Sequence, residues 1–425
     1  MTNSPPPVAT STSQKDIGFR EFVVLSACLM AMNALSIDPM LPAFPDIARD
    51  LRIPHPNDRQ LIISLYFIGL SVGSLLFGVL SDRFGRKRVM GSAMVAFILS
   101  SIACAGAHSF PMLLAGRVCA GFFAGASRVI TVGIVRDCFR GDSMARVMSL
   151  IMAVFMIIPV LAPSFGQAVL WIAPWRWIFW ILAIFATFIL GWMLMRMPET
   201  LPRENRLPIG PASVLASAKR VFTIRTSIGY MLASGFIMSG LMSFIASVQQ
   251  ILFDSFNAGR IFPIAFAAMA GCMGLGSLAN SRLVSRFGAR RMSQGALCMM
   301  ILTATTHLLI IMRGHESLVS FMLLQGLAML AISFTGANFS AIAMEPFGKG
   351  AGAASSFQTF LTTSMSAVLG GMVGRAYDGT ALPLALGSVC FGLAALAMLF
   401  WAERGRLFTR PHNDTLREVE FEPIH

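Results

Sequence analysis

Runs of apolar residues about twenty long alternate with short polar segments along the whole chain. The runs read as Glu21–Phe44, Gln60–Leu80, Val89–Ala107, Pro111–Val135, Met144–Leu170 and Trp177–Met195, then Ile228–Phe253, Ile261–Leu278, Met292–Met312, Leu318–Met344, Ala351–Val373 and Leu382–Trp401. A helix of this length crosses the roughly 30 Å hydrocarbon core of a bilayer. The runs are continuous, whereas the strand of a membrane barrel would alternate apolar and polar positions. The pattern predicts twelve membrane-spanning helices.

Composition supports this prediction. Of 425 residues, 56% are hydrophobic and 12% charged, and mean hydropathy is +0.71. Soluble domains carry about 25% charged residues, so a soluble enzyme and a disordered chain are both excluded. The net charge of +13 would point to nucleic acid in a soluble protein. Here the basic residues cluster between apolar runs, the pattern of cytoplasmic membrane loops, and no nucleic-acid partner is expected. With the N-terminus inside, inner segments hold 24 basic residues and outer segments 7, which places both termini in the cytoplasm. The polar first twenty residues lack the apolar core of a signal peptide, so the first run is expected to stay in the membrane. The seven cysteines form no C-x-x-C pair, and neither a disulfide framework nor a metal site is implied.

The chain divides into a tail (1–20), a six-helix half (21–195), a polar, proline-bearing linker (196–226), a second six-helix half (227–402) and a tail (403–425). The halves repeat. Asp82-Arg83-Phe84-Gly85-Arg86-Lys87-Arg88 follows the second run, and Ser285-Arg286-Phe287-Gly288-Ala289-Arg290-Arg291 follows the eighth. Matching basic turns on one side, six spans apart, predict two bundles related by an axis along the membrane normal.

Several segments carry a family resemblance. Gly78-Val79-Leu80-Ser81-Asp82-Arg83-Phe84-Gly85-Arg86-Lys87-Arg88 resembles the loop signature between spans two and three of the major facilitator superfamily. Ser36-Ile37-Asp38-Pro39-Met40-Leu41-Pro42-Ala43-Phe44-Pro45 is similar to the first-span motif of its twelve-helix drug:proton antiporters. Ala162-Pro163-Ser164-Phe165-Gly166 stands where the antiporter motif of span five belongs. Arg136-Asp137, Pro198-Glu199-Thr200-Leu201 and Asn280 resemble the Bcr/CflA branch of bicyclomycin and chloramphenicol exporters. The resemblance implies an all-α membrane protein with the major facilitator fold, in the bacterial inner membrane. It departs from the family pattern at Ala162, Gln167 and Arg128, which bears on the ligand rather than the fold.

Asp38 is the carboxylate deepest in an apolar run. Charges inside a membrane are costly and face a cavity or a partner. Asp38 is read either as a proton-carrying group or as a structural hydrogen-bonding carboxylate. Arg117 and Arg128 share the fourth span and, at 100° per residue, one face of it. Arg117 matches the span-four arginine of the family and is the expected proton-coupling partner of Asp38; the alternative is snorkelling at the outer interface. Arg128 reads as cavity-lining or paired, with recognition of an anionic substrate as an option. Asp82, Gly85 and Arg86 are expected to form a conformational latch, Asp82 meeting the start of span eleven, while Arg86, Lys87 and Arg88 suit the anionic inner leaflet. Pro159, Pro163 and Gly166 mark a gating helix, since proline removes a backbone donor and kinks a helix. Tyr66, Gln249, Gln325, Asn338 and Gln358 are polar groups within spans, and some must line a cavity because lipid cannot satisfy an amide. His307 is expected to be packed. The 29 methionines serve as membrane filler or as an adaptable pocket wall.

The expected function is proton-coupled export of small, fairly apolar compounds by a monomer, its partners being substrate, proton and bilayer. Export or import of a metabolite, sugar or siderophore on the same fold is the alternative. No G-x-x-x-x-G-K-[ST] loop is present, so no nucleotide or other cofactor is expected. The scattered histidines and the lack of H-E-x-x-H argue against a polytopic membrane enzyme.

Overall fold

A computed structural model describes residues 17–139, 141–202, 204, 206 and 222–408. Most of both tails and the core of the linker, the ends of the domain scheme, therefore lie outside the described residues. Among the described residues the architecture is all helical. The first half contains α1 (Phe19–Leu35), α2 (Leu61–Phe84), α3 (Arg86–Ala105), α4 (Phe110–Cys138), α5 (Gly141–Ile172) and α6 (Arg176–Arg196). The second contains α7 (Arg225–Gln250), α8 (Phe262–Phe287), α9 (Ala289–Met312), α10 (Leu318–Met344), α11 (Ala351–Met365) and α12 (Leu382–Ala402). Ten of the helices are long and apolar enough to cross a membrane. The remaining two are α5 and α11, the latter extended by a π turn (Ser366–Gly370) and a last turn (Gly371–Arg375).

The outward surface is apolar, with Leu99, Ile184, Phe188, Leu278, Leu302 and Leu323 all well exposed. In water such a surface would aggregate; in a bilayer it is the lipid-facing side.

The first span differs from its sequence reading. A continuous run to Phe44 is expected, but α1 ends at Leu35 and gives way to a 3₁₀ turn, Asp38–Ala43, and a short helix, Phe44–Asp50. Pro39, Pro42 and Pro45 cannot donate backbone hydrogen bonds, and three of them within seven residues break the i to i−4 ladder. Asp38 therefore opens a new helical segment instead of lying on a continuous helix face.

Both R-F-G turns are tight. Gly85 has φ 100° and Gly288 φ 84°, the left-handed region that disfavours side chains. Each turn joins two antiparallel spans with a single residue between helices. Within the first half α2 and α4 approach at backbone distance. A Cβ on Gly121 would overlap the Tyr66 carbonyl, and one on Gly73 the Phe122 carbonyl. Small residues let membrane helices pack on dispersion alone.

Candidate functional site

Asp38 is buried at the break in α1. Helix α5 crosses directly against it: a Cβ on Gly166 would overlap the carbonyl oxygen of Pro39. Gly166 thus sets how closely α5 can approach the carboxylate's own turn. Pro163 is buried on the same helix, whereas the side chain of Pro159 lies outside the described residues. Among the described residues, no hydrogen bond or ion pair involves the Asp38 carboxylate.

Arg117 is fully buried on α4. Its Nε donates to the Ile62 carbonyl at 3.1 Å. Its guanidinium lies 4.2 Å from the Tyr66 ring centre and 6.0 Å from that of Phe179, so aromatic faces stand where a counter-ion would. Its Nη2 has no hydrogen-bond partner. Tyr66 in turn donates from Oη to Asn33 Oδ1 at 3.4 Å, and Asn33 Nδ2 donates to Ser127 Oγ at 3.0 Å. One continuous polar seam therefore links α1, α2 and α4. Asn33 and Ser127 are absent from the residues singled out in the sequence. The available signal was an amide in the first span five positions before Asp38.

Arg128 sits further along α4. Its side chain is exposed. The remaining polar candidates belong to the second half and do not converge with this seam. Asn338 Nδ2 donates to Asn280 Oδ1 at 2.9 Å, and Gln358 accepts from Ser340 at 3.3 Å. Gln325 contacts His307 Nδ1 at 3.4 Å, while His307 Nε2 meets Glu316 at 2.9 Å. His307 and Gln325 border a cavity of about 20 Å³ inside the second half, room for one water. Gln249 is fully buried with neither amide atom hydrogen-bonded.

At the basic end, Asp82 pairs with Arg86 of its own turn at 2.6 Å. Arg86 also meets Asp137 at the end of α4, 3.0 Å away, and donates to Ser81 Oγ at 2.7 Å. The backbone N–H of Arg86 donates to Glu199, past the end of α6, at 2.8 Å. The second half repeats the scheme: Arg290 meets Glu345 at 2.8 Å and Glu403 at 3.0 Å, after α10 and α12. Each of these clamps closes within one half. The side chains of 348–353, where a contact from Asp82 across the halves is expected, lie outside the described residues.

Toward this end α2 also meets α11, where a Cβ on Gly78 would lie 3.1 Å from Ser356 Oγ. At the opposite end the halves are joined by ion pairs and amide hydrogen bonds. Arg59 meets Asp254 at 3.1 Å and Arg375 meets Asp58 at 2.8 Å. Gln250 accepts from Gln60 at 2.6 Å and donates to Asn57 at 2.8 Å. Asn57 also donates to the carbonyls of Arg375 and Tyr377. A Cβ on Gly371 would press on Ser64 Oγ. The structure is therefore closed at the end away from the R-F-G turns.

Known proteins resemble this arrangement over most of its length. The Major Facilitator Superfamily profile matches residues 24–371. A Bacillus subtilis protein described as an uncharacterized MFS-type transporter, YdgK, is 30% identical over 88% of this chain and 93% of its own. A Haemophilus influenzae bicyclomycin resistance protein homolog is 26% identical over 90% of this chain and 96% of its own. The Escherichia coli multidrug resistance protein MdtL is 35% identical, over 43% of this chain and 46% of its own. Among solved structures, that of the human organic anion transporter MFSD10 (TETRAN) superposes with a TM-score of 0.62, covering 90% of this chain and 99% of that one at 20% identity, a likeness of fold. A profile match across most of the chain and a relative at 30% identity over nearly its full length agree with twelve helices in two repeated halves. The chain is a multi-pass membrane transporter and belongs to the major facilitator superfamily.

Proposed function

We propose that this transporter is a proton-coupled exporter of small, fairly apolar compounds, drugs among them, working as a monomer in a bacterial inner membrane with both termini cytoplasmic. The observation that carries the reading is Asp38, a buried carboxylate without a described partner at a helix break that Gly166 presses against. Ionising such a group is costly unless a cation or water arrives. Arg117 is a buried cation of the same half that, unlike Arg59 and Arg86, has no acid beside it among the described residues, and one of its nitrogens is unbonded. Asp38 alternates between a protonated form and a form neutralised by Arg117 or by a ligand, so proton and cargo compete for one site. That competition is sufficient for antiport. The names of the Haemophilus influenzae and Escherichia coli relatives support drugs as cargo.

The moving units are residues 21–195 and 227–402, joined by 196–226. With both termini cytoplasmic, the end closed by Arg59, Asp254, Asp58 and Arg375 is the outer gate, and Arg128 serves as a wall of the substrate cavity on the inner side. Asp82, Gly85 and Arg86 serve as the inner latch and α5, with Pro159, Pro163 and Gly166, as the gating helix. Reconstituted protein should accumulate a transported compound against its gradient when a pH gradient is imposed on the liposomes. Asp38→Asn should abolish that accumulation while leaving downhill exchange. Accumulation by Asp38→Asn at the wild-type rate with an unchanged pH profile would overturn the reading.

A further inference from the structure

A groove of about 440 Å³ runs between α3 and α6 at the basic end. Lys87 and Arg88 stand at its rim, and Gly91, Val95, Leu190 and Leu194 line it below. Val95 and Leu194 are half exposed, and the face continues into the exposed Leu99 and Met195. The groove therefore opens sideways onto the lipid-facing surface, with cations above and apolar walls beneath.

Among the described residues neither cation forms an ion pair. Glu199 also borders the groove, but its oxygens accept from the backbone N–H groups of Arg86, Leu201 and Lys87. They cap the start of α3 and do not pair with a side chain. Lys87 Nζ donates to the Leu194 carbonyl at 2.8 Å, which leaves two of its three N–H groups free. Arg88 is exposed and has no partner among the described residues.

The repeat makes this informative. At the equivalent turn of the second half, Arg290 is taken up by Glu345 and Glu403, and Arg291 Nε donates to the Phe408 carbonyl at 2.9 Å. There the chain's own acids and its last described segment satisfy the basic turn. In the first half Asp82, Asp137 and Glu199 are engaged by Arg86, and among the described residues no acid forms an ion pair with Lys87 or Arg88.

We propose that this groove binds one phospholipid with an anionic headgroup, its phosphate between Lys87 and Arg88 and its upper acyl chain along Val95 and Leu194. The lipid phosphate supplies to Lys87 the charge that Glu345 and Glu403 supply to Arg290 in the other half, and to Arg88 an acceptor in place of the Phe408 carbonyl that Arg291 meets. It ties α3 to α6 from outside the bundle, next to the turn that carries Asp82 and Arg86.

Native mass spectrometry of the full chain, in detergent with equal phosphatidylglycerol and phosphatidylcholine, tests this. The wild type should retain one phosphatidylglycerol with about thirtyfold preference, as two basic groups at a membrane surface provide. Lys87→Gln with Arg88→Gln should bring the preference close to one. Arg88→Gln alone leaves the helix contacts intact and should reduce it by about fivefold. Val95→Trp, which fills the groove and keeps both cations, should also remove the bound lipid. Glycerol phosphate at millimolar concentration should not displace it; displacement would identify a soluble phosphate site and overturn the lipid assignment. Equal retention in the wild type, Arg88→Gln and Val95→Trp would overturn the proposal outright.

Discussion

Replacing Asp254 by Asn should open the end of the transporter that is closed here. Arg59 is almost fully buried, its side chain 8% exposed, while Asp254 is 50% exposed. Removing one partner from a fully buried ion pair costs about 3–5 kcal/mol, and an exposed pair contributes about 0–1 kcal/mol. This pair lies between those limits. The stranded member is the buried one, and Arg59 already has an unbonded Nε. A cost of about 1–2 kcal/mol in the closed state follows, a shift of roughly 5–30-fold in the closed-to-open ratio. The change should not spread to the rest of the fold, because Asp58, Arg375 and the Gln60–Gln250 pair keep their own contacts.

Thiol accessibility reads the shift directly. Ser64 is buried against Gly371 at the closure, so a cysteine there reacts with a membrane-impermeant reagent only when this end opens. The exposed cysteines Cys119, Cys138, Cys298 and Cys390 are first replaced. In that background Asp254→Asn should raise the labelling rate of Ser64→Cys by about tenfold. Arg59→Gln added to it should bring much of the rate back, because the buried charge left unpaired is then gone. An unchanged rate in the single variant, or a further rise in the double variant, would refute the assignment of this pair to the closure.

Two other substitutions probe the site. Gly166→Ala forces a methyl group into the Pro39 carbonyl; overpacking of this kind costs about 1–3 kcal/mol, so a lower melting midpoint and loss of proton-driven transport are expected, and a variant of wild-type stability and activity would count against the contact. Gln249→Leu removes a buried amide whose atoms are both unbonded, which typically carries about 1–3 kcal/mol of unmet hydrogen bonding; the closed state should gain stability, seen as slower labelling of Ser64→Cys, and faster labelling would show that Gln249 is satisfied in this state.

How much of this could be read in the sequence depended on how local the cause was. Span number and family follow from run length and from the R-F-G turns, because a helix in lipid must satisfy its own backbone and so needs a continuous apolar stretch. The break after Leu35 was also written locally, in Pro39, Pro42 and Pro45, although run length alone draws a helix through it. The partners were not. That Arg86 reaches Asp137, and Arg290 reaches Glu345 and Glu403, depends on which helix ends the bundle brings together. The polar candidates divided for the same reason. Asn338 and Gln325 carry amides in apolar helices just as Gln250 does, but their neighbours on α8 and α9 satisfy them inside the second half. Gln250 looks across to Gln60 and Asn57. Periodicity places a residue on a face and does not say what stands opposite.

The two ends of the molecule also differ in a way that bears on how little energy the cycle needs. At the basic end the clamps at Arg86 and Arg290 are each internal to a half, joining the R-F-G turn to the ends of the fourth and sixth helices, so they persist when the halves separate. At the other end the contacts cross between halves and are polar: two ion pairs, one buried only on the Arg59 side and the other exposed on the Arg375 side, with an amide pair between. Each contributes on the order of 1 kcal/mol once water can replace it. One elementary charge moving down 100 mV supplies about 2.3 kcal/mol. A closure made of such contacts can be opened and remade by a driving force of that size. A seam like that between α2 and α4, where Gly121 and Gly73 bring two backbones into contact, could not be. The backbone-to-backbone glycine contacts of Gly73 and Gly121 lie inside the first half, whereas ion pairs and amide hydrogen bonds join the halves at the far end.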